Sequence, residues 1–419
     1  MEKLEVIGEK RLRGTIKISG SKNSSLPILA ATLLSNKKVK LLNLPKVKDI
    51  ETMIMLLRSL GSNVKYNKKN KSADIYNSKN IKTFAPYNLV KTMRAGILVL
   101  GPLLARFNKA KVSLPGGCAI GARPVDIHLK ALSKLGVNYK IVQGYIYAKA
   151  SRGLIGNKIK FPKISVGATE NLIIAASFAK GKTILKNCAI EPEIGDLINF
   201  LRKMGCNIKW SGKRTITIIG VNKLQETKYK IMFDRIEAGT YMIASALTSG
   251  NIKIVNIIPK VIKTEIDILR KVGATIKIKS AELRIIGKKK INNIKLKTSP
   301  YPGFPTDLQA QLMVLLCKAS GRSEIIEKIF ENRFMHASEL NRMGASIKVF
   351  GNKATIEGNV NFKGAELMAT DLRASVSLVL AGLTAEGRSI INRIYHLDRG
   401  YENIEKKLRH LGAKIKRIY

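Results

Sequence analysis

A unit of roughly seventy residues recurs six times along this chain and constrains its fold more than any other feature. In each copy a helix-like stretch ends in an apolar residue followed by glycine, and a β-rich run comes next. Glycine at this position is typical of a C-terminal helix cap in the left-handed region. The six glycines are Gly61, Gly136, Gly205, Gly273, Gly344 and Gly412. This periodicity indicates one supersecondary unit that is repeated along the chain.

Each copy also opens alike, with a polar cluster before an apolar helix. The stretches 24–34 and 375–383 are apolar almost all round, and helices of that kind belong in a core. The six polar clusters are 21–23, 91–94, 167–171, 234–237, 306–307 and 370–373. The pattern therefore predicts an α/β protein of six units, arranged three plus three, with one inward helix in each unit.

Cations occupy several of these helix starts, among them Lys22, Arg94 and Arg373. A helix N-terminus carries partial positive charge, so a cation there is unfavourable unless an anion also binds. If the inner helices of each domain are parallel, their free amide groups collect at one face and favour an anion site. Ordinary capping is the alternative interpretation of the clusters, and it is preferred for Thr169 and Glu170.

Residues 114–128 form a second feature, a loop rich in glycine and proline around Cys118. Glycines on both sides of the thiol allow the backbone to move, and Arg123 follows five residues later. A thiol, glycine amides and an arginine together suit the handling of an anionic substrate. The alternative is a surface turn with an incidental cysteine.

Length and composition limit the class of protein. A chain of 419 residues with 45% hydrophobic residues is typical of a globular protein with two or more domains. No apolar run is long enough for a transmembrane helix, and the charged residues 1–6 do not resemble a signal peptide. The scattered cysteines 118, 188, 206 and 317 predict a reduced, cytosolic protein without a structural zinc site. The last three are expected to be core thiols.

The formal net charge of +46 raises the question of a polyanionic partner. The 75 Lys and Arg residues are spread along the chain, and aromatic residues make up only 6%. This distribution disfavours a nucleic-acid surface with stacking side chains and favours a solvated basic surface. A general attraction for anionic metabolites is compatible with it.

Jointly these motifs resemble the bacterial UDP-N-acetylglucosamine enolpyruvyl transferases over essentially the whole chain. Besides the loop at 114–128, the matching motifs are Lys22-Asn23, Arg94, Phe304-Pro305-Thr306-Asp307, residues 331–336, Asp371-Leu372-Arg373 and Asp398-Arg399-Gly400. The resemblance implies transfer of the enolpyruvyl group of phosphoenolpyruvate to the 3-hydroxyl of UDP-N-acetylglucosamine with release of phosphate, the first committed step of peptidoglycan synthesis. It implies no metal or organic cofactor, and fosfomycin as an inhibitor.

The resemblance also implies the assembly. The family fold is α/β, with two similar domains that each contain three βα units around buried parallel helices, an inside-out α/β barrel. Residues 21–230 are expected to form the first domain, which carries the Cys118 loop. Residues 1–20 and 231–419 are expected to form the second, because the N-terminal strand returns to complete it.

Roles for individual residues follow from the resemblance as well. Cys118 is expected to protonate the methylene carbon as general acid, and Asp307 to accept the sugar hydroxyl proton as general base. Asp371 would orient the base or Lys22. Phosphoenolpyruvate would be held by Lys22, Arg123 and Arg399, with Arg333 and Arg373 completing a cationic wall. The expected nucleotide-sugar residues are Asn23, Arg94, Arg123, Pro124, Val125, Asp126, Ile127, Lys163, Ile164, Ser165, Val166, Asp307 and Ile329.

Several alternatives remain open at this point. A helix N-cap is the alternative role of Asp307, and a buried strand is the alternative for residues 163–166. The related 3-phosphoshikimate enolpyruvyl transferase shares the repeat but is disfavoured by the Pro-Gly-Gly-Cys loop. A non-catalytic, basic polyanion-binding protein is disfavoured by the retained charged residues. The expected partners are the two small-molecule substrates, with no specific nucleic acid and no membrane insertion, and the oligomeric state is left open.

Overall fold

The computed structural model describes residues 2–116 and 125–419. They form two compact units, an N-terminal unit (residues 20–116 and 125–232) and a C-terminal unit (residues 2–19 and 233–419). Within the described residues, each unit contains three four-stranded sheets. We propose that these units are the two domains that the sequence leads us to expect at 21–230 and at 1–20 with 231–419.

The chain opens with two strands of the C-terminal unit, β1 (Lys3–Ile7) and β2 (Arg13–Lys17). The N-terminal unit contains helices α1 (Lys22–Ala31), α2 (Lys48–Ser59), α3 (Tyr87–Val90), α4 (Leu100–Phe107), α5 (Asp126–Ser133), α6 (Val166–Ala176) and α7 (Pro192–Lys203). Its strands are β3 (Val39–Leu42), β4 (Ser62–Asn67), β5 (Ser72–Asn77), β6 (Phe84–Ala85), β7 (Lys109–Ser113), β8 (Asn138–Val142), β9 (Tyr145–Lys149), β10 (Lys158–Lys160), β11 (Lys182–Lys186), β12 (Asn207–Gly212), β13 (Thr215–Ile219) and β14 (Thr227–Lys230). Short 3-10 helices lie at Thr32–Leu34 and Arg94–Val99.

The C-terminal unit continues with helices α8 (Arg235–Leu247), α9 (Lys263–Lys271), α10 (Gln309–Cys317), α11 (His336–Arg342), α12 (Leu372–Gly382), α13 (Tyr395–Asp398) and α14 (Ile404–His410). Its strands are β15 (Asn251–Val255), β16 (Thr275–Lys279), β17 (Glu282–Ile286), β18 (Lys295–Lys297), β19 (Ser323–Ile326), β20 (Ser346–Phe350), β21 (Lys353–Glu357), β22 (Glu366–Met368), β23 (Arg388–Asn392) and β24 (Lys414–Ile418). Here the 3-10 helices are Pro259–Ile262 and Thr306–Leu308.

Five of the six described sheets follow one plan. A strand leads through an outer helix to a hairpin, and the second strand of the hairpin pairs antiparallel with the first strand. In the sheet β6-β7-β9-β8, for example, β7 leads through α5 to β8 and β9, while β6 pairs parallel with β7. The same order recurs in β10-β11-β13-β12 and in β18-β19-β21-β20. The repeat in the sequence is therefore a repeat of one βαββ arrangement.

Three of these sheets are completed by a strand that is distant along the sequence from the other strands of its sheet. β1 pairs antiparallel with both β23 and β24, in the position that a hairpin strand fills elsewhere. β2 pairs parallel with β15, and β14 pairs parallel with β3. Both N-terminal strands thus pair with strands from the second half of the chain.

The six repeat glycines are helix caps, as the sequence predicts. Their φ angles lie between 92° and 108°, in the left-handed region that favours glycine. The amide of each one donates to the carbonyl three residues earlier at 2.9 to 3.0 Å. A side chain at these positions would strain the backbone, so glycine is required where the outer helix turns into the next strand.

The inner helices form the core. Every residue of α10 and every residue of α8 is buried, which agrees with sequences that are apolar almost all round. In the N-terminal unit α4 lies close to α6, because a Cβ built on Gly101 would be 2.7 Å from the carbonyl oxygen of Asn171. No helix among the described residues is both long and apolar enough to cross a membrane.

Candidate functional site

Asp307 is the centre of the charged site in the C-terminal unit. It lies in the 3-10 turn Thr306–Leu308, immediately before α10. Arg333 Nη2 donates to its Oδ1 at 2.8 Å, and Arg373 Nη2 donates to its Oδ2 at 2.7 Å. The Asp307 side chain is 26% exposed, whereas the two arginines are only 4% and 7% exposed. Buried guanidinium groups therefore orient both oxygens of a carboxylate that solvent can reach.

The N-cap alternative for Asp307 is wrong. The 3-10 turn has Pro305 as its N-cap and α10 has Leu308, and neither helix has a side-chain cap bond. The carboxylate instead binds two arginines that come from other segments of the chain. Its position before the helix is thus explained by ion pairing.

Asp371, the other expected carboxylate, is a helix cap. Its Oδ1 accepts the backbone amides of Arg373 at 2.7 Å and Ala374 at 3.2 Å, at the start of α12. Burial lowers the pKa of Arg373, but the Asp307 carboxylate, together with Tyr401 and Asp234, outweighs that effect and raises the pKa above its usual range. Asp371 therefore fixes the backbone from which the Asp307-binding guanidinium projects.

Tyr401 is a buried hydrogen-bond partner of Arg373 and was not predicted from the sequence. Its hydroxyl accepts from Arg373 Nη1 at 3.2 Å and from Gln311 Nε2 at 3.2 Å, and it lies 2.8 Å from Thr240 Oγ1. Gln311 Nε2 also donates to the backbone carbonyl of Asp307 at 3.0 Å. Burial raises the pKa of Tyr401, so its phenol keeps the proton.

Glu327 connects the Asp307 turn to Ile329. Thr306 Oγ1 donates to Glu327 Oε2 at 2.9 Å, and the amide of Ile329 donates to Oε1 of the same residue at 2.7 Å. Arg399 directly follows α13, and burial, followed by the positive charge of Arg399, lowers the pKa of His396. The structure thus brings Asp307, Ile329, Arg333 and Arg373 together.

In the N-terminal unit Lys22 is the first residue of α1 and Asn23 the second. The ammonium of Lys22 lies 3.2 Å from Asp49 Oδ2, and the two side chains are 12% and 6% exposed. Ser21 caps the helix by accepting the amide of Ser24 at 3.2 Å. A ligand anion and, by resemblance, Asp371 were expected beside this cation, and the structure adds the carboxylate of Asp49.

Arg94 and the start of α5 lie around a buried histidine. Arg94 opens the 3-10 helix Arg94–Val99. Burial, followed by the positive charge of Arg94, lowers the pKa of His128 to about 4. Val125 and Ile127 are buried, whereas Asp126, the first residue of α5, is half-buried. Val125 and Ile127 therefore pack in the core rather than present their side chains to solvent.

Residues 163–165 form a loop and Val166 is the first residue of α6, so the strand alternative is wrong. Ser165 caps α6 by accepting the amide of Ala168 at 3.3 Å. The caps expected at Thr169 and Glu170 are also wrong, because both residues lie inside the helix. Thr169 Oγ1 donates to the carbonyl of Ser165 at 2.7 Å.

The start of α6 packs against α5. A Cβ built on Gly167 would be 3.2 Å from His128 Cε1, and Asn171 Nδ2 lies 3.2 Å from His128 Nδ1. The loop that carries Lys163 and Ser165 is thereby next to the start of α5. Two of the expected nucleotide-sugar segments are neighbours within this unit.

Cys118, Arg123 and Pro124 lie outside the described residues, and their expected roles stay predictions. The other three cysteines are buried and unpaired, as predicted. Burial raises the thiol pKa to about 12 for Cys188, about 11 for Cys206 and about 12 for Cys317. In the part of the chain that the structure describes, no three His, Cys, Asp or Glu residues are grouped as metal ligands.

The partners of the reactive groups were not predicted from the sequence, namely Asp49, Thr240, Gln311, Glu327 and Tyr401. One signal was available for the acids, because the chain has only 29 Asp and Glu residues against 75 Lys and Arg. A buried acid in such a protein needs a specific partner. Tyr401 had a weaker signal, since it directly follows the Asp398-Arg399-Gly400 motif.

Comparisons with known proteins extend over the whole chain. The family described as EPSP synthase (3-phosphoshikimate 1-carboxyvinyltransferase) matches residues 6–408. The UDP-N-acetylglucosamine 1-carboxyvinyltransferase of Pelagibacter ubique (strain HTCC1062) is 72% identical over 418 residues, which cover 100% of both chains. Its counterpart of the same name in Geotalea uraniireducens (strain Rf4) is 51% identical, again over 100% of both chains.

A solved structure is also similar to this chain. The enolpyruvyl transferase NikO from Streptomyces tendae superimposes with a TM-score of 0.89 at 24% sequence identity. The match covers 99% of this chain and 98% of that chain. The enolpyruvyl transferase fold predicted from the sequence is confirmed.

Proposed function

The chain belongs to the EPSP synthase family and, within it, to the UDP-N-acetylglucosamine 1-carboxyvinyltransferases, and we propose that it moves the enolpyruvyl group of phosphoenolpyruvate to the 3-hydroxyl of UDP-N-acetylglucosamine. The observation that carries this proposal is the 72% identity over the full length of a relative of that name. The reaction releases phosphate and begins peptidoglycan synthesis.

The reaction balances as an addition followed by an elimination. In the addition a proton from Cys118 goes to the methylene carbon, and the sugar oxygen bonds to the neighbouring carbon while Asp307 takes the hydroxyl proton. In the elimination the C–O bond to phosphate breaks, the carbon–carbon double bond re-forms, and the Cys118 thiolate left by the addition takes a proton from the new methyl group. The support for Asp307 is its position, because it is the solvent-accessible member of a trio in which two buried arginines orient it.

Lys22, Arg123 and Arg399 are proposed to hold the phosphate and carboxylate of phosphoenolpyruvate. The support for Lys22 is that its ammonium lies at the start of α1, where helix amides also favour anions. Asp49 keeps that ammonium in place at 3.2 Å. Arg333 and Arg373 add positive charge around the developing negative charge on the intermediate.

The nucleotide sugar is proposed to bind along Asn23, Arg94, Asp126, Ile329 and residues 163–166. The exposed Lys163 and the amides at the start of α6 suit a diphosphate. Arg123 and Pro124 are proposed here as well. Because Val125 and Ile127 are buried, we propose that they contact the substrate through their backbone.

Members of this family act on small molecules, and the two substrates named above are the proposed partners. We further propose a cytoplasmic location. The support is chemical, since the three described cysteines are unpaired, as in reducing compartments.

Phosphate release measured with phosphoenolpyruvate and each acceptor tests the proposal. We expect release with UDP-N-acetylglucosamine and none with 3-phosphoshikimate, the acceptor that the description of the matched family suggests. The opposite preference would overturn the proposed acceptor. Equal, acceptor-independent release would overturn the transfer reaction itself.

The role of Cys118 is tested by labelling with fosfomycin, an epoxide mimic of phosphoenolpyruvate. The thiolate is the nucleophile, and the raised pKa values of Cys188, Cys206 and Cys317 leave those residues as inert thiols. We therefore expect mass spectrometry to find the label on Cys118 alone. Labelling of a core cysteine at the same rate would contradict the assignment.

A further inference from the structure

We propose that Tyr401 is a positioning residue that holds Asp307 in place through two routes. The first route is through the side chain, because Tyr401 accepts from Arg373 Nη1 at 3.2 Å while Arg373 Nη2 donates to Asp307 Oδ2 at 2.7 Å. The second is through the backbone, because Gln311 Nε2 donates both to the Tyr401 hydroxyl at 3.2 Å and to the Asp307 carbonyl at 3.0 Å. One phenol oxygen is thus linked to both the carboxylate and the backbone carbonyl of Asp307. This inference rests on the proposed function of Asp307 as the base.

Donor and acceptor chemistry gives the network a single direction. Arginine has only donors, and the amide nitrogen of Gln311 also donates, so the Tyr401 oxygen accepts two hydrogen bonds. The phenol proton then goes to Thr240 Oγ1 at 2.8 Å, and the Thr240 proton goes to the carbonyl of Ile236 at 2.9 Å. Each group in the chain Arg373, Tyr401, Thr240 and Ile236 therefore has its partner, and the network ends on helix α8.

The hydroxyl rather than the ring makes this connection specific. The Arg373 guanidinium also lies over the Tyr401 ring, 5.6 Å from its centroid, so phenylalanine would keep that contact. What phenylalanine cannot do is accept from Arg373 Nη1 and Gln311 Nε2. Both donors are buried, and losing an acceptor there favours rotation of the guanidinium away from Asp307.

The neighbour of Thr240 supplies a matched control. Tyr241 lies on the same helix and is as deeply buried as Tyr401, yet its hydroxyl has no hydrogen-bond partner among the described residues. Tyr241→Phe and Tyr401→Phe each remove one buried phenolic oxygen from the core of the C-terminal unit. Only the second change breaks a connection to Asp307.

The kinetic test compares these two variants and adds Arg373→Lys. We expect Tyr401→Phe to lower kcat about tenfold with a smaller effect on the KM of phosphoenolpyruvate, since orientation of a base affects the chemical step. Tyr241→Phe should keep wild-type kinetics. In the Arg373→Lys background the Tyr401 change should cost clearly less than about tenfold, because only the route through Gln311 remains there.

Two kinetic outcomes overturn the proposal. Equal losses in Tyr401→Phe and Tyr241→Phe would show a general packing effect, and a full tenfold loss in the Arg373→Lys background would rule out the route through Arg373 that the proposal requires. Crystal structures of both phenylalanine variants give a readout that needs no turnover. We expect the Arg373–Asp307 contact to lengthen beyond hydrogen-bonding distance in Tyr401→Phe alone, and an unchanged contact there would refute the positioning role.

The same structures separate this proposal from the proposed function. If wild-type protein released no phosphate with UDP-N-acetylglucosamine, the proposed function would fail. The displaced or retained position of Arg373 in Tyr401→Phe would still decide whether Tyr401 positions Asp307. A shift of Arg373 in that variant together with an inactive wild type would retain the structural link and reject the acceptor.

Discussion

The two units hold their key charged groups in opposite ways. In the N-terminal unit a carboxylate, Asp49, holds a cation, Lys22, at the start of α1. In the C-terminal unit two cations, Arg333 and Arg373, hold a carboxylate, Asp307, just before α10. The first arrangement is an ion pair with no net charge, whereas the second carries one excess positive charge. A base placed among excess positive charge can act beside anionic substrates that the same cations attract.

The two units share one feature although the charges of the held groups are opposite. In both units the proposed reactive group is less buried than the group that holds it. Holding groups that are buried have few alternative partners, so they orient the reactive group firmly. The comparison therefore predicts that removing a proposed reactive group lowers the reaction rate strongly, while removing the group that holds it lowers the rate by less.

The largest effect is expected for Asp307→Asn. The change removes the proposed base and leaves two buried guanidinium groups without a carboxylate, so kcat should fall by about a hundred- to ten-thousand-fold. Initial-rate phosphate release measures it. Asp267→Asn, at a surface carboxylate that pairs with Lys263, is the matched change and should retain activity within about twofold. Near-normal turnover in Asp307→Asn would contradict its assignment as the base.

Acid stability offers a second comparison, because each unit contains one deeply buried histidine. Burial lowers the pKa of His128 to about 4, with a further contribution from Arg94 that is opposed by Asp126. Burial also lowers the pKa of His336 to about 4, opposed by Asp371 and reinforced by Arg333. Between about pH 6.5 and 4 the unfolded chain binds more protons than the folded chain. Stability is therefore present above pH 6.5 and is lost as the pH falls toward 4.

The unfolding free energy of the wild-type protein should fall between pH 7.5 and pH 5. We expect this decrease to be smaller by about 2 kcal/mol in His128→Gln and in His336→Gln. Urea unfolding at the two pH values measures this difference for each variant. If neither core variant reduced the acid sensitivity, these histidines would have to be protonated in the folded protein.

The repeat could be predicted from the sequence because its signal is local. Glycine is needed where φ is positive, and each of the six glycines has such an angle at the end of an outer helix. The buried helices were also predictable, since residues apolar on all sides have no solvent-exposed face. Neither inference needs contacts between distant segments.

The partners of the charged groups could not be predicted in this way. Arg333 and Arg373 are 26 and 66 residues from Asp307 along the chain, and Asp49 is 27 residues from Lys22. Among 75 basic residues, no local pattern shows which two meet a given carboxylate. That choice depends on how the helices pack, which is why the sequence identified the reactive residues and missed the residues that hold them.

The prediction of the α6 cap was wrong for a different reason. Ser165 and Thr169 are both good capping residues, and the cluster 167–171 contains more polar side chains than the true cap. The chain turns into the helix just before Val166, so Ser165 is the residue whose hydroxyl reaches a free amide. Local propensity gives the type of residue at a cap but leaves the boundary uncertain by a few positions.

A smaller effect is expected for Asp49→Asn, which removes a holding group. Lys22 would keep a polar neighbour and its place at the start of α1 but lose the opposite charge 3.2 Å away. We expect kcat/KM for phosphoenolpyruvate to fall about tenfold, which corresponds to about 1.4 kcal/mol. Steady-state kinetics with varied phosphoenolpyruvate checks this. Should the loss equal that of Asp307→Asn, the distinction between held and holding groups would be wrong.

The smallest effect concerns the start of α6, where neither a cation nor a carboxylate occupies the cap. Ser165 accepts only the amide of Ala168 there through its hydroxyl, at 3.3 Å, so Ser165→Ala should cost about 1 kcal/mol of unfolding free energy. Ser165→Asn can still cap the helix and should cost less. Urea unfolding measures both, and the KM for UDP-N-acetylglucosamine separates the cap from a substrate contact. If both variants raised the KM for UDP-N-acetylglucosamine alike although only Ser165→Ala lost stability, the Ser165 hydroxyl would bind the substrate directly. A helix start without a charged residue would then also hold a substrate-binding group.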